Sequence, residues 1–322
     1  MGVPALRWGI LGAARINRHL IPQFRAAAGP QTIEAIASRD GAKAYAAAAD
    51  WQIPAALSSY DALLERRDID AVYVPLPNHL HAEWTVKAAR AGKHVLCEKP
   101  LALSVDEVDR VRGAAADNRV HVAEAFMYRH HAQTDAVVSI VRSGSLGPLR
   151  MIRGCFSFFL DREGDVRFDP AMGGGSAWDV GCYPVSYARL VAGTEPVAAR
   201  ADAVIGPTGI DVTLAGVLRF PGGLLAAVDC SFVAPFRTEM EIVGERGTLR
   251  VPRPFKPGPR ETITVVRGDE VEEHIVEGRV LYVDQIENFA RAAAGGAAPK
   301  VTLEDSRGNV AALRALLDAA RN

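Results

Sequence analysis

Short apolar runs alternate with longer alanine-rich stretches through the first third of the chain. The runs at 6–11, 32–37, 71–76 and 94–97 read as strands, and 18–28, 42–51, 60–66 and 82–91 read as helices by residue propensity and apolar spacing. Parallel neighbours need crossovers of this length, so the alternation predicts a parallel sheet with helices on its faces. Ser104 before Val105-Asp106-Glu107 marks a capped helix start with acids in the first turn, predicting a helix to about Asn118 and one more strand over 121–125.

Beyond that point strands follow one another with few helices between them. The segments 151–160, 197–204, 213–220, 224–232, 239–243, 248–251, 262–266 and 272–276 are strand-like, and turns at Pro221-Gly222-Gly223, Glu245-Arg246-Gly247 and Arg267-Gly268-Asp269 join several of them. Such close spacing predicts antiparallel hairpins in a large open sheet. The expected division is an α/β domain over 1–122 and an α+β domain over 123–322. Val310, Leu313, Leu316 and Leu317 give the last stretch, 303–322, the apolar face of a helix that either domain can bury. The proline-dense stretch 252–259 is expected to be a mobile loop.

Composition narrows the functional classes. A length of 322 residues accommodates two domains, and 37 Lys+Arg against 38 Asp+Glu leave a net charge of -1, with no global field to attract nucleic acid or anionic lipid. No apolar stretch reaches the roughly 18 residues of a membrane span, so neither a nucleic-acid nor a membrane partner is expected. A strand begins almost directly after Met1 without a basic leader, and Cys97, Cys155, Cys182 and Cys230 are scattered in the manner of reduced thiols. These features predict a cytoplasmic protein.

Candidate chemistry gathers at the carboxyl ends of the predicted strands, where open α/β sheets bind ligands. Gly9-Ile10-Leu11-Gly12-Ala13-Ala14-Arg15-Ile16-Asn17 joins the first strand to the first helix, at the position where a dinucleotide diphosphate meets helix N-terminal amides. Against the pattern G-x-G-x-x-G, Gly12 is the first glycine, while Ala14 and Asn17 occupy the second and third positions. Gly12, Ala13, Ala14, Arg15 and Ile16 are therefore candidate cofactor contacts. The second strand ends at Ser38-Arg39 rather than at an acid, so a ribose 2′-phosphate would meet a hydroxyl and a guanidinium, with Lys43 one helical turn on. This predicts NADP(H) in preference to NAD(H), with NAD(H) still admitted.

Two further strand ends carry polar groups. Pro75-Leu76-Pro77-Asn78-His79-Leu80-His81 is expected as a loop in which Leu76, Pro77, Asn78 and His81 flank the cofactor. Its histidines, with Glu124, His130 and His131, also raise metal ligation, but no H-E-x-x-H or comparable cluster is present and no metal is expected. Cys97-Glu98-Lys99-Pro100 places Glu98 beside the cofactor and the Lys99 ammonium where nicotinamide and substrate would meet. In Gly173-Gly174-Gly175-Ser176-Ala177-Trp178-Asp179-Val180-Gly181-Cys182-Tyr183, helical spacing puts Asp179 and Tyr183 on one face. A carboxylate beside a phenol can orient a hydroxylated substrate and move its proton, although a helix cap and a half-buried ring account for the same residues structurally.

The ordered set of these motifs, together with Glu124-Ala125-Phe126-Met127-Tyr128-Arg129 and Tyr282-Val283-Asp284-Gln285-Ile286-Glu287-Asn288-Phe289, resembles the Gfo/Idh/MocA family of oxidoreductases over essentially the whole chain. The resemblance implies a Rossmann domain followed by an open, mostly antiparallel sheet domain that supplies the substrate pocket and commonly an oligomer interface, here a homodimer or homotetramer. It implies hydride transfer between NAD(P) and a sugar or related polyol without metal. By that resemblance Lys99 corresponds to the catalytic lysine and Asp179 to a substrate-binding aspartate. Tyr183 stands at a position that is His in many members, as in a branch that includes NADP-dependent D-xylose and dimeric dihydrodiol dehydrogenases. Lys99 and Tyr183 would also touch substrate, and either can be the final proton carrier. Arg129 and Arg167 fall in segments that resemble pocket-lining ones, and an ion pair would explain either. An aldose 1-dehydrogenase is the expected activity, with a dihydrodiol dehydrogenase, a deoxysugar ketoreductase or a non-catalytic NADP-binding regulatory protein as alternatives.

Overall fold

The computed structural model describes residues 2–162 and 164–321. Chain contacts divide it into two units, Met1–His130 with Tyr282–Ser306, and His131–Leu281 with Arg307–Asn322. In the first unit β1 (Leu6–Leu11), β2 (Gln31–Ala37), β3 (Ala55–Leu57), β4 (Ala71–Val74), β5 (His94–Cys97) and β6 (Val122–Glu124) form a six-stranded parallel sheet in the order β3-β2-β1-β4-β5-β6. The order reverses at β1, so the crevice for a dinucleotide lies past the β1 and β4 ends. β3 was not predicted, because three half-buried residues carry no alternation to read. β4 stops two residues short of the expected end, since Pro75 and Pro77 have no N–H to donate to a ladder.

The connecting helices are α1 (Asn17–Ala26), α2 (Gly41–Trp51), α3 (Tyr60–Leu64), α4 (Asn78–Arg90) and α5 (Val105–Asn118). The Ser104 hydroxyl caps α5 as expected, accepting from the Glu107 N–H at 3.3 Å. α4 corrects the sequence reading: it begins at Asn78, so Asn78, His79 and His81 stand in its first turns rather than in a loop. Pro77 occupies the N-cap position, where its missing N–H costs no helix bond.

The second unit contains α6 (Ala132–Arg142), α7 (Cys182–Ala192) and the strands β7 (Leu149–Ser157), β8 (Ala198–Ile205), β9 (Asp211–Arg219), β10 (Leu225–Ser231), β11 (Arg237–Gly244), β12 (Gly247–Val251), β13 (Arg260–Arg267) and β14 (Glu270–Glu277). These strands form one sheet, β14-β13-β12-β11-β7-β10-β9-β8, antiparallel except for the β7–β10 pair. All eight expected strands are present with shifted ends. α6 was not anticipated, because its N-cap is His131, whose Nδ1 accepts from the Gln133 N–H at 3.1 Å, rather than one of the usual capping residues. α7 packs on the sheet face that carries Gly154, where an added Cβ would lie 3.0 Å from Pro184. The opposite face carries cross-strand ion pairs, Arg153 with Glu241 at 3.5 Å and Arg237 with Asp229 at 3.4 Å.

The unit boundary also departs from the expected one. β6 is the last strand of the first sheet, paired with β5, and the first unit runs on to His130. α8 (Val283–Ala293) returns to the first unit: Phe289 is buried with its ring 5.1 Å from that of Trp8, which in turn lies 4.8 Å from Phe24. Apolar burial in a core assembled from distant segments drives this return, and no local pattern announces it. α9 (Leu303–Ala319) begins in the first unit and ends in the second. The loop after β12 is anchored rather than loose, because Phe255 is fully buried and stacks on Phe156 at 5.5 Å. All four cysteines are buried, and among the described residues no helix is long and apolar enough to cross a membrane.

Burial gives the first unit a pH dependence. It pushes His121 down to about 4, with His94 adding a smaller effect, and His130 down to about 3, with Lys300 and Arg129 adding theirs. An unfolded histidine titrates near 6.5, so below that pH the unfolded chain takes up protons that the folded chain refuses. Stability is therefore expected to fall as pH drops from about 6.5 toward 4 and to be independent of these groups above about 7. Urea unfolding across this range checks it, and His121→Phe should flatten part of the slope.

Candidate active site

The turn between β1 and α1 is built around Gly12. Its φ of 128° suits only glycine, its N–H donates to the Ala37 carbonyl at 2.8 Å, and an added Cβ would lie 3.1 Å from Leu76 Cδ2. Leu76 thereby brings the β4 end against the loop. Asn17, at the third glycine position, is buried and donates through Nδ2 to the Gly12 carbonyl at 2.9 Å, closing the loop with a side chain. Sequence reading treated this residue only as a departure from the pattern. Among the described residues the N–H groups of Ala13, Ala14, Arg15 and Ile16 donate to no group of the chain, and the α1 N-cap makes no side-chain bond. A run of unpaired N–H groups at a helix start fits a diphosphate.

At the β2 end the Ser38 hydroxyl accepts from the Asp40 N–H at 3.2 Å. Asp40 caps α2 and draws Lys43 to 3.5 Å, so the Lys43 charge is partly matched. Arg39 is exposed and has no ion pair among the described residues, which leaves its guanidinium available to an anion.

The Glu98-Lys99-Pro100 turn after β5 is held from three sides. The fully buried Tyr73 hydroxyl donates to Glu98 Oε1 at 2.6 Å, and burial followed by the charge on Glu98 pushes this phenol well above its usual value. His81 sets its ring nitrogens 2.6 Å from the Pro100 and Leu76 carbonyls, joining the two strand ends. Glu124 Oε1 accepts from the Leu101 N–H at 2.9 Å. Lys99 is half-buried at the centre of this clamp. His81 was expected to contact the cofactor, but it is 1% exposed with both nitrogens on the backbone, so it holds the turn. Burial lowers it to about 4 although both carbonyls favour protonation. Among the described residues no three His, Cys, Asp or Glu side chains group as for a metal ion.

For Arg129 the structure shows an ion pair, the alternative given for it above. It is 8% exposed and pairs with Asp305 at 2.8 Å, with Lys300 O a further acceptor at 3.4 Å, so within the first unit it anchors the returning segment.

In the second unit Asp179 lies in a π-helical turn, Ala177–Gly181, that runs into α7. The α-helical spacing expected between Asp179 and Tyr183 therefore begins only after Asp179, and π turns of this kind recur at functional sites. Arg167 Nε donates to Asp179 Oδ2 at 2.7 Å, while its Nη1 reaches Asp165 Oδ1 at 3.1 Å. The Asp179 charge, followed by that of Asp165, raises the Arg167 guanidinium above its usual value. Asp165, missed in the sequence, belongs to this triad; a lone acid in a loop gives no signal. Tyr183 is 5% exposed, its ring 5.3 Å from Phe156 and 5.5 Å from Phe255.

Known proteins are similar to this chain in sequence and fold. Residues 6–126 match the GFO/IDH/MocA oxidoreductase family with an NAD-binding Rossmann fold, and residues 134–250 match the GFO/IDH/MocA C-terminal domain. The chain is 38% identical over 319 residues to a D-xylose 1-dehydrogenase (NADP(+)) of Haloferax volcanii, covering 98% of this chain and 97% of that one. It is 36% identical over 299 residues to a dTDP-3,4-didehydro-2,6-dideoxy-alpha-D-glucose 3-reductase of Streptomyces violaceoruber, covering 90% and 86%. Among solved structures, a 3-ketoreductase from Actinomadura kijaniata in complex with NADP and TDP-benzene aligns with a TM-score of 0.90 at 31% identity, covering 98% of each chain.

Proposed function

The chain belongs to the GFO/IDH/MocA oxidoreductase family, and from that premise we propose that it is an NADP(H)-dependent aldose 1-dehydrogenase. The reading rests above all on the clamped Lys99 turn, which holds a half-buried ammonium at the carboxyl edge of a dinucleotide-binding sheet. When bound, NADP+ accepts and NADPH donates the hydride. The N–H groups of Ala13 to Ile16 hold the diphosphate, Arg39 and Ser38 hold the 2′-phosphate with Lys43 adding charge, and Leu76, Pro77, Asn78 and Glu98 flank the nicotinamide side. Asp179, steadied by Arg167, accepts a hydrogen bond from a sugar hydroxyl and fixes its orientation. Lys99 or Tyr183 takes the proton of the reacting hydroxyl.

A second reading is reduction of a keto-deoxysugar nucleotide, favoured by the 31% identity and close fold match to a 3-ketoreductase. Dihydrodiol oxidation needs the same residues, since Asp179 can serve any vicinal diol. Assaying aldoses, inositols and dihydrodiols with NADP+, and a keto-deoxysugar nucleotide with NADPH, separates these readings through the absorbance of reduced cofactor. Aldose turnover is the expected outcome.

Three results test the roles. Lys99→Met and Tyr183→Phe should each lower turnover about 100-fold or more, as for lost acid-base catalysis, with NADP affinity retained. Near-normal turnover in Tyr183→Phe would leave Tyr183 as a packing partner of Phe156 and Phe255. Arg39→Ala should weaken NADP binding about tenfold or more and leave NAD binding almost unchanged, since a charge-assisted contact contributes about 1.5–3 kcal/mol; tighter NAD than NADP binding in the parent protein would discard the cofactor assignment. The sheet face opposite α7 is proposed as the seat of a second copy, giving a homodimer or homotetramer. Light scattering should then give two or four times the 34.5 kDa chain mass, and a monomer would refute it.

A further inference from the structure

A helix start leaves N–H groups without partners unless a nearby side chain accepts from them. The π-turn that carries Asp179 is not capped by its own flanking residue. Ser176, at its N-cap position, already has helical dihedrals (φ -65°, ψ -34°) and makes no side-chain cap bond. Its hydroxyl donates instead to Asp211 Oδ2 at 2.7 Å, and the same oxygen accepts from the Ala177 N–H at 2.7 Å. Asp211 is the first residue of β9, so the cap is delivered from the sheet.

The surroundings are shaped for that carboxylate. Gly175 has φ 125°, and a Cβ there would come within 2.3 Å of Asp211 Oδ1, so only glycine admits the approach. Asp211 is 6% exposed. Burial raises its pKa even though the Ser176 hydroxyl and neighbouring N–H groups oppose the shift, so the fold retains a carboxylate at a desolvation cost. At the other end of the turn, a Cβ on Gly181 would lie 2.9 Å from Cys230 Sγ, and Cys230 sits on β10 opposite Leu214 of β9. Two neighbouring strands thus grip both ends of the segment on which Asp179 stands.

We propose that Asp211 is a positioning residue: by capping the Ser176-Ala177 start from the sheet it sets where Asp179, and after it Tyr183, are presented. The role of those two residues rests on the proposed sugar-oxidising function, whereas the capping is a property of the free chain, and the two are tested separately.

The full-length protein is compared with Asp211→Ala, Asp211→Asn and Ser176→Ala, using D-xylose with NADP+ and amide hydrogen exchange over 175–183. Asp211→Ala should speed exchange at Ala177 and the following turn, and lower kcat/KM for D-xylose, each about tenfold or more, as expected for loss of charge-assisted bonds, with the KM for NADP+ unchanged. Asp211→Asn keeps an acceptor oxygen and should recover most of both, and Ser176→Ala, which retains the Ala177 bond, should fall between. If the parent protein oxidises neither D-xylose nor any other sugar, the functional reading fails while the exchange measurement still decides the cap. If Asp211→Ala does not fold, the Asn and Ser176 variants carry the test. Exchange and kcat/KM equal to the parent in the folded variants, with only a lowered unfolding temperature, would overturn the proposal.

Discussion

Lys99 owes its setting to bonds made by its neighbours. A half-buried ammonium on a flexible stem has many conformations, and a turn at the end of a parallel strand has no ladder to hold it. Here the residues on either side of Lys99 are tied down: Tyr73 holds the Glu98 side chain, His81 the Pro100 carbonyl and Glu124 the Leu101 N–H. Each hydrogen bond contributes about 0.5–1.5 kcal/mol net, or about 1.5–3 when one partner is charged. Leaving any of these buried groups unmatched costs as much again. The clamp therefore does more to define one geometry than to raise total stability, and its members come from β4, α4 and β6, which the parallel sheet sets side by side.

The second unit uses the same economy around a different charge. Asp179 is paired with Arg167, and Arg167 is shared with Asp165, so a substrate hydroxyl would meet a carboxylate that is already oriented. The arginine spans two acids, and Asp165 is held in turn by Arg162 at 2.8 Å, so the pairing that orients Asp179 is itself anchored. Tyr183 is placed by packing: Phe156 and Phe255 limit its ring from two sides, and its exposure of 5% leaves little freedom. Phe255 reaches that position from a proline-dense loop whose composition suggested motion, which shows how one buried ring can anchor a whole connection.

Much of this was legible residue by residue. The alternation of apolar runs and helical stretches located five of the six strands of the parallel sheet, because strands buried on both faces must be short and continuously apolar. Ser104 announced α5 through local capping chemistry. The eight strands of the second sheet were legible because turn residues separate them. α4 was misread at its start because a proline and two histidines resemble a loop, although proline suits a helix's first positions. α6 was missed because histidine is an uncommon cap.

What the sequence by itself determined is local: which segments are strand or helix, that Gly12 stands at the turn from the first strand into the first helix, and that Lys99, Asp179 and Tyr183 are chemically equipped residues in structured positions. Those properties follow from backbone preferences and apolar periodicity within a few residues. Tertiary structure alone decided the partners. His81 faces Pro100, Arg129 faces Asp305, Arg167 faces Asp179, and Phe289 returns to Trp8, across separations that no short window spans. Arg129 and His81 looked available for ligand in the chain and are engaged in the fold, because a buried polar group must find a partner wherever packing supplies one.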